Sequence, residues 1–192
     1  MHDRVRTNLT MVLAVLELQL KHDSGKTNDQ ILKDLHSLIR SLTIVHESMA
    51  QAKQTNYVDL KNYAIKLSNR VQQGLRKEKK DIQIKVNANE NVTLDMGRAM
   101  PFALIINELV MNACIYAFDP GESGQIVIEL YEKNGEVFLK VTDNGKGLPE
   151  DFEKKAAKGI GMRIIRAFTK QLNAELEYSS TDVTTFKLKL GL

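Results

Sequence analysis

Three short stretches of this chain place polar residues where an apolar framework could aim them at a ligand. The first, NELVMNACIYAF from Asn107 to Phe118, reads as a helix in which Glu108 and Asn112 fall four apart and share a face. Leu109, Val110 and Ala113 turn inward, so the other face is free to hold something polar. The second, EVFLKVTD, alternates as a strand, stops at Asp143 and turns through Asn144, Gly145, Lys146 and Gly147. Glycines there permit positive φ and let a ligand approach the backbone. The third, Gly159-Ile160-Gly161-Met162, opens the amphipathic run MRIIRAFTKQL. A helix start with two glycines exposes unpaired N–H groups and the positive end of the helix dipole, which suits phosphate. Each stretch alone has a plain structural reading: a tight turn, a hairpin signal, or a buried hydrogen-bonded pair. Their order and spacing favour one shared site.

Together the stretches resemble the asparagine box and the two glycine boxes of the GHKL superfamily, which holds histidine kinases, gyrase-type ATPases, Hsp90-type chaperones and MutL. The likeness covers roughly residues 85 to 190. It implies an adenine nucleotide, ATP, as cofactor. Asp143 would accept hydrogen bonds from the adenine amino group, because an ionised carboxylate only accepts and that amine is a donor. Asn112 would offer its amide oxygen to Mg²⁺, an ion that prefers oxygen ligands and bridges phosphates. Glu108 matches the acidic position that polarises water in the ATPase branches, and Asn107 opens the same box. Tyr116 would pack near the nucleotide, and Gly145 and Gly147 would make room for it. Gly159, Ile160, Gly161 and Met162 would present backbone N–H groups to the phosphates. Residues 148 to 158 would form a short mobile lid. Two departures stand out. Ile115 occupies a position where kinases often carry lysine, and the final box, usually Gly-Thr-Thr-Phe, reads Val183-Thr184-Thr185-Phe186, with Thr185 expected at the site.

These motifs need a frame and an acceptor. Val5, Leu9, Val12 and Leu16, then Ile31, Leu35, Leu38, Leu42, Val45 and Met49, recur in alternating steps of four and three. The polar cluster from His22 to Asp29 separates them, so residues 1–54 are expected to form an antiparallel helical hairpin. One hairpin offers too little partner surface for both seams, which points to a homodimer closed as a four-helix bundle, the plainer alternative being a hairpin laid on the second domain. Two histidines on it are each followed by an acid, His2-Asp3 and His46-Glu47. HDRVRTNLT resembles the phosphoacceptor box of histidine kinases, and RSLTIVHESMAQ resembles the second bundle helix of the HisKA_2 class. That class carries two histidines before Arg-Val, whereas Asp3 takes the second place here, and His-Asp matches instead the acceptor pair of the HisKA_3 class. By this likeness His2 is the phosphoacceptor, Asp3 the base that takes its proton, and His46 a packing or positioning residue. Thr7 stands where the HisKA_3 pattern has a glutamine used in phosphatase activity, so that activity does not carry over.

Past Thr55 the period changes. LKNYAIKLSNRVQQGL reads as an amphipathic helix, while DIQIKVNA, QIVIELYEKNGEVFLKVTD, AELEYSS and TTFKLKLGL alternate as strands, with an Asn-Gly turn at Lys133–Glu136. Helices mixed with antiparallel hairpins predict an α+β fold, a Bergerat-type α/β sandwich over 55–192. Of 192 residues 43% are hydrophobic, enough for a core. A net charge of +3 from 27 basic and 24 acidic residues, spread rather than clustered, is too mild to argue for nucleic acid, and none is expected as partner. The run Arg76 to Lys80 reads as a solvated helix end. The single cysteine, Cys114, excludes an internal disulfide and a thiolate zinc cluster. No apolar run reaches the roughly 18 residues of a membrane span, so this segment is expected to be cytoplasmic, with room for a sensory portion upstream of Met1. The resemblance as a whole implies a histidine kinase that modifies its own histidine from Mg·ATP and passes the phosphoryl group to a response-regulator receiver domain. Two rivals differ in class: a histidine phosphotransfer scaffold with a degenerate nucleotide domain, and a GHKL ATPase or serine kinase without histidine chemistry.

Overall fold

The structure, a computed structural model, describes residues 57–192 except 79, 90 and 91, together with Ile39, Thr43 and Glu47. Apart from those three positions the expected hairpin, including His2, Asp3 and His46, lies outside the described residues. From Tyr57 onward the elements are β1 (Tyr57–Asp59), α1 (Leu60–Lys77), β2 (Asp81–Ala88), β3 (Thr93–Asp95) and α2 (Met96–Asn112). A π-helical turn follows at Ala113–Ala117, then β4 (Ser123–Lys133), β5 (Glu136–Asp143), α3 (Phe152–Lys158), α4 (Ile160–Gln171), β6 (Glu175–Ser180) and β7 (Thr184–Gly191).

Five strands form one sheet in the order β2-β4-β5-β7-β6, and β1 pairs with β3 apart from it. The β4–β5 hairpin turns where Asn-Gly predicts: Asn134 and Gly135 take φ of 55° and 75°, the pair of positive values that a two-residue turn between twisted strands requires. One expectation needs correcting. The sheet is not built of antiparallel hairpins throughout, because β2 runs parallel to β4. Parallel neighbours need a crossover, and α2 lies in that connection. β2 is also an edge, and the Gln72 side chain covers part of it, donating to the Ile82 carbonyl at 2.7 Å and accepting from the Ile84 N–H at 2.9 Å.

Alternation decides what faces the helices. Along β5, Val137, Leu139, Val141 and Asp143 are buried, and along β7 Thr184, Phe186, Leu188 and Leu190 are. The opposite face carries ion pairs such as Lys140–Glu129 at 2.7 Å and Lys189–Glu175 at 3.2 Å. This is the layered sandwich expected from the alternation and from the resemblance. α1 starts on an Asp59 cap whose carboxylate accepts from the Asn62 N–H, and ends with Arg76 and Lys77 exposed at the negative end of its dipole. α2 is apolar nearly all round and is the central core helix, capped by Asp95 accepting from the N–H groups of Gly97 and Arg98. With the π turn it runs Met96–Ala117, long and apolar enough to cross a membrane. The expectation that no segment reaches that length is therefore corrected. Two charged residues, Arg98 and Glu108, and the amides of Asn107 and Asn112 interrupt its apolar surface, and the protein's own core covers most of it.

Candidate functional site

The site is built around the last turns of α2. Asn107 is buried and its amide donates to Glu108 Oε1 at 3.4 Å. Glu108 and Asn112 are half-buried, and opposite them stands Gly161 in the first turn of α4. A Cβ added to Gly161 would lie 3.0 Å from Glu108 Oε2 and 3.1 Å from Asn112 Oδ1. Glycine is what lets the start of α4 close onto the acid and amide.

After Asn112 the helix widens. The π turn sends Cys114 and Ala117 into the core and leaves Ile115 and Tyr116 at the surface, 53% and 65% exposed. Burial pushes the Cys114 thiol up to about 12, against the opposing pull of the Lys80 ammonium. The turn also delivers the Ala117 carbonyl to the glycine turn, where it accepts from the Lys146 N–H at 2.9 Å. A Cβ on Gly145 would stand 2.2 Å from that carbonyl oxygen, so residue 145 has to be glycine. Gly147 has φ of +82°, again a glycine conformation. Lys146 itself pairs with Asp119.

Asp143, at the end of β5, is buried and accepts from the Gly145 N–H at 3.1 Å and from the Thr184 hydroxyl. Burial holds its carboxyl above the usual carboxylate range, and the two hydrogen bonds oppose that rise. The register corrects one candidate. Asp143 pairs with Thr184, and Thr142 with Thr185. Thr185 therefore points to the other side of the sheet, its hydroxyl 3.4 Å from Thr142 Oγ1, and Thr184 is the threonine beside Asp143. The signal was present in the alternation: Thr184 shares parity with Phe186, Leu188 and Leu190.

The segment expected to form the lid, residues 148–158, contains α3. One further placement differs from the sequence-based reading. Gly159 does not offer its N–H to a ligand, because that group donates to the Lys155 carbonyl at 2.9 Å. The first-turn donors of α4 are the N–H groups of Ile160, Gly161 and Met162, with no side-chain cap over them. Among the described residues no group of three or more His, Cys, Asp or Glu could hold a metal by itself. An ion at Asn112 would need a ligand's phosphates to complete its shell. The residues present fit a magnesium nucleotide in that sense. Glu108 and Asn112 meet the N-terminus of α4 at Gly161, and the buried Asp143 stands beside a glycine turn kept clear of side chains.

The sequence model of the histidine kinase-, DNA gyrase B- and HSP90-like ATPase family matches residues 97–192. The chain belongs to that family. A second family model, HisKA_2, described as histidine kinase, matches residues 1–75. The sensor histidine kinase PdtaS of Mycobacterium tuberculosis is 30% identical over 182 residues, 93% of this chain and 34% of PdtaS. The chain thus spans about a third of that relative's length. Among solved structures, the histidine kinase domain of a blue-light-activated kinase from Erythrobacter litoralis superposes with a TM-score of 0.71 at 21% identity, covering 94% of this chain and 85% of that one. Histidine kinase ThkA, solved in complex with response regulator protein TrrA, superposes with a TM-score of 0.57 at 16% identity over 99% of this chain and 59% of the other. These two share the fold. The match over 97–192 contains the asparagine box, both glycine turns and Val183–Phe186.

Proposed function

We propose that the chain is the transmitter core of a two-component histidine kinase. Residues 55–192 would bind Mg·ATP, and residues 1–54 would form the dimeric hairpin that carries the acceptor. The observation that carries the reading is the meeting of Glu108 and Asn112 with Gly161, which brings an acid, a metal-compatible amide and helix-start donors to one point. The family match supports it. Asp143, backed by Thr184, would select the base, and Gly145 and Gly147 leave the space. Tyr116, exposed at the rim, would lie along the nucleotide. The N–H groups at the start of α4 would hold phosphate oxygens, and Glu108 would position or deprotonate the attacking group. Bound Mg·ATP supplies the phosphoryl group and neutralises its charge. Asp3 would hold the His2 imidazole with one nitrogen unprotonated and ready to attack. Catalysis of this kind rests on positioning and electrostatics rather than on covalent work by the site. A receiver domain of a response regulator is the partner expected to take the group on, as ThkA's complex with TrrA suggests for this kind of chain.

The test is incubation with labelled ATP and magnesium followed by mapping of the modified side chain. We expect acid-labile, base-stable label on His2, abolished by His2→Gln with nucleotide affinity unchanged. Label on His46 would move the acceptor, and a protein that binds no nucleotide would leave only a phosphotransfer scaffold.

A further inference from the structure

We propose that Tyr178 and Ser180 of β6 are positioning residues that latch the segment between Gly147 and Gly159 and thereby set how long a nucleotide stays bound. The inference rests on the nucleotide site proposed above. The parity of β6 places both residues on the helix-facing side of the sheet, since Tyr178 pairs with Phe186 and Ser180 with Thr184, whose side chains are buried there. Three contacts then tie down the front of the lid. The Ser180 hydroxyl accepts from the Leu148 N–H at 2.9 Å. Phe152, the first residue of α3, packs edge-on against the rings of Tyr178 and Phe186, with centroids 5.1 and 6.1 Å away. Next to it, Glu153 accepts from the Tyr178 hydroxyl and from the Arg166 guanidinium of α4, the latter at 2.7 Å.

These groups are hard to explain as packing alone. β6 is an edge strand with most of its residues exposed, and Tyr178 is 38% exposed, so neither it nor Ser180 is demanded by the core. Both hydroxyls serve the lid. The rear of the lid is fixed separately, by Ala156, which is buried, while the Gly159 N–H closes the last turn of α3 on the Lys155 carbonyl. The front is therefore the part whose order depends on β6. A lid already ordered pays little conformational entropy when it covers a ligand, whereas a loose one must be ordered at that moment. The latch should act on nucleotide affinity and dissociation, and leave the rate of the chemical step alone.

The test uses the full chain and three variants, Tyr178→Phe, Ser180→Ala and the double variant, with Ser180→Thr as the conservative control that keeps an acceptor. Hydrogen exchange over 148–153 is measured on the protein alone. Dissociation of a fluorescent ATP analogue and the KM for ATP against kcat are measured with magnesium. We expect faster exchange of the Leu148 amide in Ser180→Ala and of the whole front of the lid in the double variant. We also expect roughly threefold to tenfold faster analogue release and a similar rise in KM, with kcat within about twofold and with Ser180→Thr close to wild type. A wild-type chain that binds the analogue, with variants that match it in lid exchange and release, would overturn the latch and leave the site intact. Failure of the wild type to bind the analogue would overturn both. A fall in kcat at unchanged KM would place these residues in the chemistry and refute a positioning role.

Discussion

Asp143 carries two opposed demands, and its chemistry shows which wins. The carboxylate is buried at the end of β5, and burial raises its affinity for a proton more than the Gly145 and Thr184 hydrogen bonds lower it. The folded protein therefore binds that proton more tightly than the unfolded chain does. Stability contributed by this group is present at low pH and is lost as pH rises from the ordinary carboxylate value through the raised one. Such a cost is what a side chain kept for a ligand rather than for the fold should show. Asp143→Asn keeps the shape and an acceptor oxygen but adds donors where the adenine amine also donates. We expect nucleotide affinity to fall roughly tenfold to a hundredfold, the value of a charged hydrogen bond or more. The thermal midpoint at neutral pH should stay at or above that of wild type, and the variant should lose this part of the pH dependence. Calorimetric titration with an ATP analogue and melting curves across acidic to neutral pH decide it; a variant much less stable at neutral pH would make Asp143 a structural residue. Its place at a strand end before Asn-Gly was visible, and the alternation of β7 put Thr184 on the core face with Phe186, Leu188 and Leu190, but that Thr184 falls directly opposite Asp143 depended on the register of β7 against β5, a partnership that no local pattern states.

At the scale of elements, the site exists because the π turn after α2 and the first turn of α4 approach it from opposite sides. The two glycines that permit this differ in what they face. Gly145 abuts the backbone carbonyl of Ala117, and Gly161 the far ends of Glu108 and Asn112. A backbone atom cannot swing aside, whereas side-chain ends can. Gly145→Ala should therefore cost about 1–3 kcal/mol of stability, the usual toll of overpacking, and break the Lys146 to Ala117 hydrogen bond. Gly161→Ala should unfold within about 1 kcal/mol of wild type yet displace the acid and amide, and so weaken Mg·ATP binding more than it weakens the fold. Urea denaturation beside calorimetry separates the two; equal losses of stability would mean that the Glu108–Asn112 face is as rigid as backbone. Elements with strong local periodicity were legible: α1 from its amphipathic spacing, β4 and β5 from alternation about Asn134-Gly135, and α4 from its apolar stripe. Those that tertiary partners create were not. β3 is three residues paired with β1, the parallel match of β2 with β4 depends on where α2 packs, and the π turn continues an unbroken helical pattern. α3, seven residues rich in lysine, owes its position to Phe152 and Glu153 meeting β6, β7 and α4.

On the scale of the whole molecule, the question is whether the nucleotide-binding half needs the hairpin that precedes it. The described core closes on itself: its buried residues run from Val58 to Leu190 and come from both the strands and the helices, with much of α2 buried. Every side chain assigned to the nucleotide lies within the same stretch. Across the boundary the described structure gives an ion pair, Arg70 to Glu47 at 3.6 Å with both side chains largely exposed. Exposed pairs at that distance are worth little, because water and salt screen them. Removing residues 1–54 should therefore leave a protein that unfolds cooperatively and binds Mg·ATP with an affinity within about twofold of the full chain's, since distant independent parts contribute additively. It should take no label from ATP, for it has lost His2, Asp3 and His46 together. If the full chain is the dimer that its two apolar seams call for, the truncated protein should sediment as a monomer while the full chain does not. The same three measurements test the division of labour from the other side. A truncated chain that is insoluble or fails to bind nucleotide would mean that the hairpin completes the core, and label on a truncated chain would put the acceptor outside the hairpin and end the assignment of His2.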